Sequence, residues 1–263
     1  MILNQLLLWA GSKNFTVRVN DELLRLPRLL YRQIGVDLGM RRGTYFEVPV
    51  MAGLRRILRP GDCVFDAGCS YGILTCLISR MVQPGGSVHA FEANPEVLSW
   101  TRRIVAENVP PATVHFVSAC LADHSHGAAD FFAVPDKSSV ASTRNKDILH
   151  FHPDSHRVSV PLLSFDDYCA RSGVIPRCIK LDVEGSEYLA LKGARRLLET
   201  HRPTLLIETH GLEIDGIGGS VAELCRLLRD TRYEIKDPIS NQTLTDESYI
   251  RNHQSAIGYL LAT

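Results

Sequence analysis

Two acidic residues beside a glycine turn are the first chemistry the chain offers. Asp66-Ala67-Gly68-Cys69-Ser70-Tyr71-Gly72 follows a short apolar run and leads into a helical one. Glycine there lets the backbone turn sharply and approach a ligand closely, and the helix beyond presents free N–H groups. Glu92 closes the next apolar run, 20 residues after Gly72, where a carboxylate binds both hydroxyls of a ribose. Together they read as a nucleoside-binding strand–helix–strand unit. The spacing is Gly-x-x-x-Gly, without the middle glycine of a nicotinamide fingerprint. Asp66 at that mouth repels a pyrophosphate and suits a cation. S-adenosylmethionine carries an ammonium and a sulfonium and no phosphate, so the contrast favours a methyl donor over a dinucleotide.

A second cluster lies further on. Lys180, Asp182 and Glu184 alternate with Ile179, Leu181 and Val183, and Glu208-Thr209-His210 ends another apolar run. Alternation places the polar side chains of each run on one side. Interior parallel strands are usually apolar throughout, because an unpaired buried charge is costly. Charged residues at their carboxyl ends therefore mark a ligand crevice, or else solvated strand ends or a salt bridge involving Lys180. The histidines of His124-x-His126 and His150-x-His152, with His156, lack partners at a telling metal spacing and read as solvated loop residues.

These residues need elements to position them. From Val64 to Leu206, short apolar runs alternate with helical patterns, which implies right-handed strand–helix–strand units and a parallel sheet covered on both faces. Strands are expected at 63–67, 87–92, 113–117, 179–183, 204–208, 233–235 and 256–261. Helices are expected at 47–58, 73–81, 95–108, 165–172, 187–199 (with Ser186 as N-cap) and 221–230. Residues 122–160 break the rhythm as a loop or two-stranded excursion near the acceptor. A hairpin is expected from Phe15 to Leu26, after a small apolar helix at the N-terminus. The domains are thus a 1–46 extension and a 47–263 catalytic unit.

Composition agrees with a globular α/β chain. Of 263 residues, 29 are basic and 29 acidic, with 45% hydrophobic and 22% charged. Zero net charge argues against nucleic acid held by bulk electrostatics. The apolar N-terminus is too short to span a bilayer, so no stable membrane insertion is expected; it is a candidate homodimer surface. The seven cysteines form no Cys-x-x-Cys pair, which favours reduced thiols in a cytoplasmic protein.

Val64 to Pro95 resembles the cofactor-binding half of class I S-adenosylmethionine-dependent methyltransferases. Leu163-Ser164-Phe165-Asp166-Asp167-Tyr168, Ile179-Lys180-Leu181-Asp182-Val183-Glu184-Gly185-Ser186-Glu187, Leu191-Lys192-Gly193-Ala194 and Pro203 to His210 resemble the FkbM family. Gly68-Cys69-Ser70-Tyr71-Gly72 departs from the family's Gly-Ala-Asn-x-Gly, and Ala93 stands in place of Pro. The resemblance implies a Rossmann-like seven-stranded methyltransferase sheet, mostly parallel, with an antiparallel last strand and helices on both faces. It implies methyl transfer to a hydroxyl of a sugar, glycolipid or other secondary metabolite. The alternatives are N-methylation of a small molecule, a binding module without turnover, or a nicotinamide oxidoreductase.

On that reading, Asp66 and Gly68 meet the methionine end of S-adenosylmethionine, and Cys69, Ser70, Tyr71 and Gly72 form the turn. Glu92 binds the ribose diol, with Ala93 and Asn94 beside it. Ser118 and Ala119 flank the adenine, and Glu47 helps close the pocket. Asp182 is the first candidate for a base that takes the acceptor's proton, His210 the second, and Glu184 and Glu208 orient the acceptor or a metal. A metal set of Asp182, Glu208 and His210 is conceivable but not demanded, and no metal ligand is assigned.

Overall fold

The computed structural model describes residues 14–19, 22–27, 47–110, 113–133 and 156–263. The chain opens with β1 (Asn14–Val19) and β2 (Glu22–Pro27), paired antiparallel with Val19 opposite Glu22. It continues with α1 (Val48–Ile57), β3 (Cys63–Ala67), α2 (Ile73–Val82), β4 (Ser87–Glu92), α3 (Pro95–Asn108) and β5 (Val114–Ser118). Next come β6 (Cys120–Leu121), β7 (Ala128–Ala133), β8 (His156–Leu163), α4 (Phe165–Ser172) and β9 (Cys178–Leu181). The last part holds α5 (Glu187–Lys192), α6 (Arg195–Thr200), β10 (Thr204–His210), α7 (Gly211–Ile217), α8 (Val221–Asp230), β11 (Ile235–Lys236), α9 (Asp246–His253) and β12 (Ile257–Ala262).

Seven strands form the main sheet in the order β11-β12-β10-β9-β3-β4-β5. Those from β10 to β5 pair parallel, and β12 runs antiparallel to both β10 and β11. From β3 the chain steps outward through β4 and β5, then crosses back to β9 on the other side of β3. This reversal opens a crevice at the carboxyl ends of β3 and β9, where open α/β sheets bind ligands.

The sheet is apolar on both faces because helices cover both. Phe65, Ala67, Ile179, Leu181, Leu205 and Ile207 pack into one layer. The alternate residues Val64, Cys178, Leu206 and Leu261 pack into the other, with α1 and α2 residues such as Leu54 and Leu77. Asp66 and Lys180 share the parity of this second set. Local chemistry sets the helix starts. The Asn94 side chain accepts from the N–H groups of Glu96 and Val97, while Ser164, Ser220 and Thr245 cap α4, α8 and α9.

Several elements differ from the sequence expectation. The helix expected over 187–199 is two helices, divided at Gly193-Ala194. A side chain at 193 could not fit, since a Cβ there would lie 2.1 Å from the Ala122 carbonyl oxygen. Ser186 makes no side-chain cap. The strand expected at 233–235 lies at Ile235–Lys236. Helices α7 and α9 were not anticipated. The excursion does contain two strands, β7 and β8, paired antiparallel. The expected N-terminal helix, residues 20–21 of the expected hairpin, His150 and His152 lie outside the described residues. Among the described residues, no helix is long and apolar enough to cross a membrane. All seven cysteines are free thiols.

Candidate active site

The turn after β3 is held by backbone contacts. The N–H groups of Gly68 and Cys69 both donate to the Phe91 carbonyl, at 3.0 and 2.9 Å. Gly68 has φ +76°, and a Cβ there would lie 1.6 Å from the Asp182 carbonyl oxygen. The Asp182 N–H in turn donates to Ala67 O at 3.1 Å. The turn and the end of β9 are therefore in direct contact. Gly72, φ +78°, lies against Thr101 of α3, whose hydroxyl donates to the Ser70 carbonyl. Cys69 and Tyr71 are buried. The Cys69 thiol is pushed well up by burial and by the neighbouring Glu92 and Asp66, so it packs as a neutral group.

Glu92, at the tip of β4, ties the turn to its own strand. One carboxylate oxygen accepts the Ser70 N–H at 3.0 Å and the other the Asn94 N–H at 2.8 Å. Burial raises its pKa to about 7, against the lowering effect of those two N–H groups and of Lys180. Ser118 pairs with Glu92 across β4 and β5, and the Ala119 N–H donates to Glu92 O at 3.3 Å. Ala93 packs on Cys120 and Val160. The predicted cofactor residues on β3, β4 and β5 thus converge on one edge.

Beneath the turn lies a buried charge cluster. Asp66 has 0% exposure, and its Oδ2 accepts the Thr75 hydroxyl at 2.6 Å. Its Oδ1 accepts no hydrogen bond among the described residues and lies 3.7 Å from Lys180 Nζ. Lys180 Nζ donates to Gly68 O at 3.1 Å and to Asp182 Oδ2 at 3.2 Å. Burial alone would depress the lysine; Asp182, Asp66 and Glu47 outweigh it and hold the ammonium charged. Burial raises Asp66, opposed by Lys180 and Thr75. Glu47 precedes α1 with a left-handed backbone, φ 45°. Its Oε2 is buried without a hydrogen-bond partner among the described residues, and burial lifts the group to about 8.

Next to this cluster stand Asp182, Glu184, Glu208 and His210. His210 is 4% exposed. Its Nδ1 sits 2.9 Å from Oε1 of Glu187, a fully buried residue. The same oxygen accepts the N–H groups of Val183 and Gly185 at 3.2 and 3.1 Å. His210 Nε2 faces Glu184 Oε2 at 3.4 Å, Asp182 Oδ1 at 3.8 Å and Glu208 Oε1 at 4.0 Å. Burial pulls the imidazole down, but the Glu187 hydrogen bond and the surrounding carboxylates outweigh it, to about 9. Glu184 is raised to about 7, by burial against the pull of His210. Glu208 is raised by burial and by Asp182, and its Oε1 accepts the Tyr259 hydroxyl at 3.0 Å.

Every residue expected in the two clusters therefore lies along one sheet edge. Sequence reasoning left out the residues that hold them: Thr75, Thr101, Glu187 and Tyr259. Glu187 carried a signal, since an acid in the first turn after Gly185-Ser186 can reach back to free N–H groups. The loop histidines behave as side-chain neighbours of the surface. His124 Nδ1 lies 2.7 Å from Asp123, and His156 Nε2 3.3 Å from Glu96.

The acidic edge fits a cationic nucleoside: carboxylates ring the turn, one buried Asp66 oxygen accepts no hydrogen bond there, and Lys180 is already committed. A pyrophosphate would meet more acid than base. A family model described as "Methyltransferase FkbM domain" matches residues 66–235, well over half the chain. The chain belongs to the FkbM methyltransferase family. It is an S-adenosylmethionine-dependent methyltransferase of FkbM type, with S-adenosylmethionine as its cofactor. It is 25% identical over 215 residues to the 31-O-demethyl-FK506 methyltransferase FkbM of Streptomyces tacrolimicus, covering 69% of this chain and 77% of that one. A solved FkbM methyltransferase from Methylobacillus flagellatus aligns at TM-score 0.46 and 16% identity, over 80% of this chain and 49% of its own. Fibrillarin from Aeropyrum pernix, solved with bound S-adenosyl-L-methionine, aligns at TM-score 0.45 and 15% identity, over 97% and 86% of the two chains.

Proposed function

We propose that this FkbM-family methyltransferase is O-directed and methylates a hydroxyl of a sugar, glycolipid or other secondary metabolite. The observation that carries this is the contact between Asp182 and the glycine turn. Asp182 keeps 20% of its side chain exposed, and its backbone touches Gly68. A base that receives an acceptor's proton must reach that acceptor within hydrogen-bond distance.

When bound, S-adenosylmethionine supplies an electrophilic methyl group. The chain's own part is to bind, orient and remove a proton. Glu92 would hold the ribose diol beside Ala93 and Asn94, with Ser118 and Ala119 flanking the adenine. Gly68, Cys69, Ser70, Tyr71 and Gly72 would shape the turn, and Glu47 would close it. Asp66 has no exposed surface, so it acts at the methionine end through Lys180 and the turn. Lys180 draws Asp182 Oδ2 inward at 3.2 Å, leaving Oδ1 to accept the proton of an acceptor hydroxyl. His210, raised to about 9, holds a proton at neutral pH; with Glu208 it orients Asp182 rather than competing as the base. Tyr259, the donor to Glu208, also lines a cavity of about 190 Å³ in which Pro49, Pro238, Ile239 and Leu244 stand beside polar Asp237, Ser248, Asn252 and His253, a mixed surface suited to the body of a hydroxylated acceptor.

The test is a screen of hydroxylated acceptors with radiolabelled S-adenosylmethionine. Label should reach hydroxyl oxygens, and the Asp182→Ala chain should still bind S-adenosylhomocysteine. Transfer only to amines would overturn the O-directed reading.

A further inference from the structure

The geometry points to a divalent cation site formed by Asp182, Glu184 and His210, a role that rests on the reading of this crevice as the acceptor end of the site. One ligand atom from each residue lies within 4.8 Å of the others. The separations from His210 Nε2, 3.4 Å to Glu184 Oε2 and 3.8 Å to Asp182 Oδ1, fall in the range set by an ion with bonds of about 2.1 Å. Donors at right angles around such an ion stand about 3.0 Å apart, and opposed donors about 4.2 Å.

The histidine supplies an observation that a group of acids would not. It is 4% exposed, and its Nε2 stands at the crevice among the carboxylates. Glu187 Oε1 already accepts two backbone N–H groups, so at 2.9 Å it acts as acceptor again and the Nδ1 of His210 carries the hydrogen. This leaves Nε2 aimed at carboxylate oxygens, with no hydrogen bond of its own among the described residues. A lone pair facing carboxylates is repelled; the position requires a positive charge, either a proton or a metal ion. A carboxylate that fixes the far nitrogen of a buried imidazole is the outer-shell arrangement of metal-binding histidines. The other partners are disposed to match. Lys180 engages Asp182 Oδ2 and leaves Oδ1 to the crevice, where its two lone pairs allow it both to hold the ion and to accept an acceptor's proton, while the Glu184 side chain is 39% exposed and opens the site to solvent.

One imidazole with two carboxylates suits Mn²⁺ or another transition-metal dication that accepts mixed nitrogen and oxygen donors. Three protein donors leave positions for water or for acceptor oxygens, which fits an acceptor rich in hydroxyl or carbonyl groups. Entry of the ion releases the Nε2 proton to solvent.

The experiment uses the full chain, stripped with chelator and desalted, and Mn²⁺ alone as probe, with free Mn²⁺ read by electron paramagnetic resonance. One equivalent should bind. Glu184→Gln and His210→Gln should each weaken binding about tenfold or more; Glu199→Gln, in a surface pair with Arg195, should not. No binding at millimolar Mn²⁺, or equal binding by the wild-type, Glu184→Gln and His210→Gln chains, overturns the site. S-adenosylhomocysteine is titrated into the same samples with chelator present. Binding of it without Mn²⁺ binding removes the ion and leaves the methyltransferase reading intact. Mn²⁺ binding without it supports the ion site and overturns the reading of the crevice beneath it.

Discussion

At the scale of single residues, the account turns on carboxylates whose environments differ. Glu92 is lifted to about 7 by burial, and the proposed ribose contact needs its ionised form as acceptor. Protons therefore compete with the cofactor. Affinity for S-adenosylhomocysteine should rise as pH climbs from about 6 to 8, steepest below 7, where each unit is worth up to about tenfold. The Glu92→Gln chain should bind more weakly and lose most of this dependence. Calorimetric titration across pH checks both; an unchanged slope in the variant would remove Glu92 from the ribose. On the proposed reading, Asp182 acts on the other reactant. Its replacement by Ala should lower kcat by about 10²- to 10⁴-fold, the usual worth of a placed base, with S-adenosylhomocysteine affinity nearly unchanged. Equal losses in both quantities would assign Asp182 to cofactor binding instead.

At the scale of elements, the turn after β3 is the part least tolerant of change. Gly68 and Gly61 both have left-handed backbone, at φ +76° and +90°. A Cβ at Gly61 meets nothing within 4 Å, whereas one at Gly68 would lie 1.6 Å from Asp182 O. Gly61→Ala should cost about 1–2 kcal/mol, from backbone conformation alone. Gly68→Ala should cost clearly more, and should disturb Asp182 as well. Urea unfolding of the two variants compares them; equal costs would mean that the turn and β9 are not tightly joined. This junction also shows what was legible beforehand. The glycine turn, the sheet strands and Glu92 could be read because apolar alternation and glycine spacing are local signals. Helix α9 could not, since Asp246 to His253 is polar and buries little beyond Tyr249. The break between α5 and α6 was invisible because it depends on Ala122, a residue distant in sequence. The partnership of Thr75, Asp66 and Lys180 depends on β3 pairing with β9, a register no single segment encodes. Glu187 was read only as a helix start, because its role appears once His210 arrives from β10.

At the scale of the whole molecule, the carboxyl edge of the sheet gathers more acid than base. Glu47 and Glu92 sit at about 8 and about 7, above their ordinary 4.5. Raised acids bind protons more strongly in the folded chain than in the unfolded one. Their contribution to stability is full below about pH 4.5 and is lost as pH rises through 7 and 8. The urea midpoint of the ligand-free chain should fall over that window, and less so in a Glu47→Gln/Glu92→Gln double variant. A midpoint that rose with pH and was insensitive to both changes would contradict the burial that sets these values.

The most direct trial of the central idea is calorimetric titration of the unaltered chain with S-adenosylmethionine and, separately, with NAD. Saturable binding of the sulfonium compound at one site, with no comparable heat from the dinucleotide, is the predicted result. Silence toward the sulfonium compound, or equal affinity for NAD, would contradict the account.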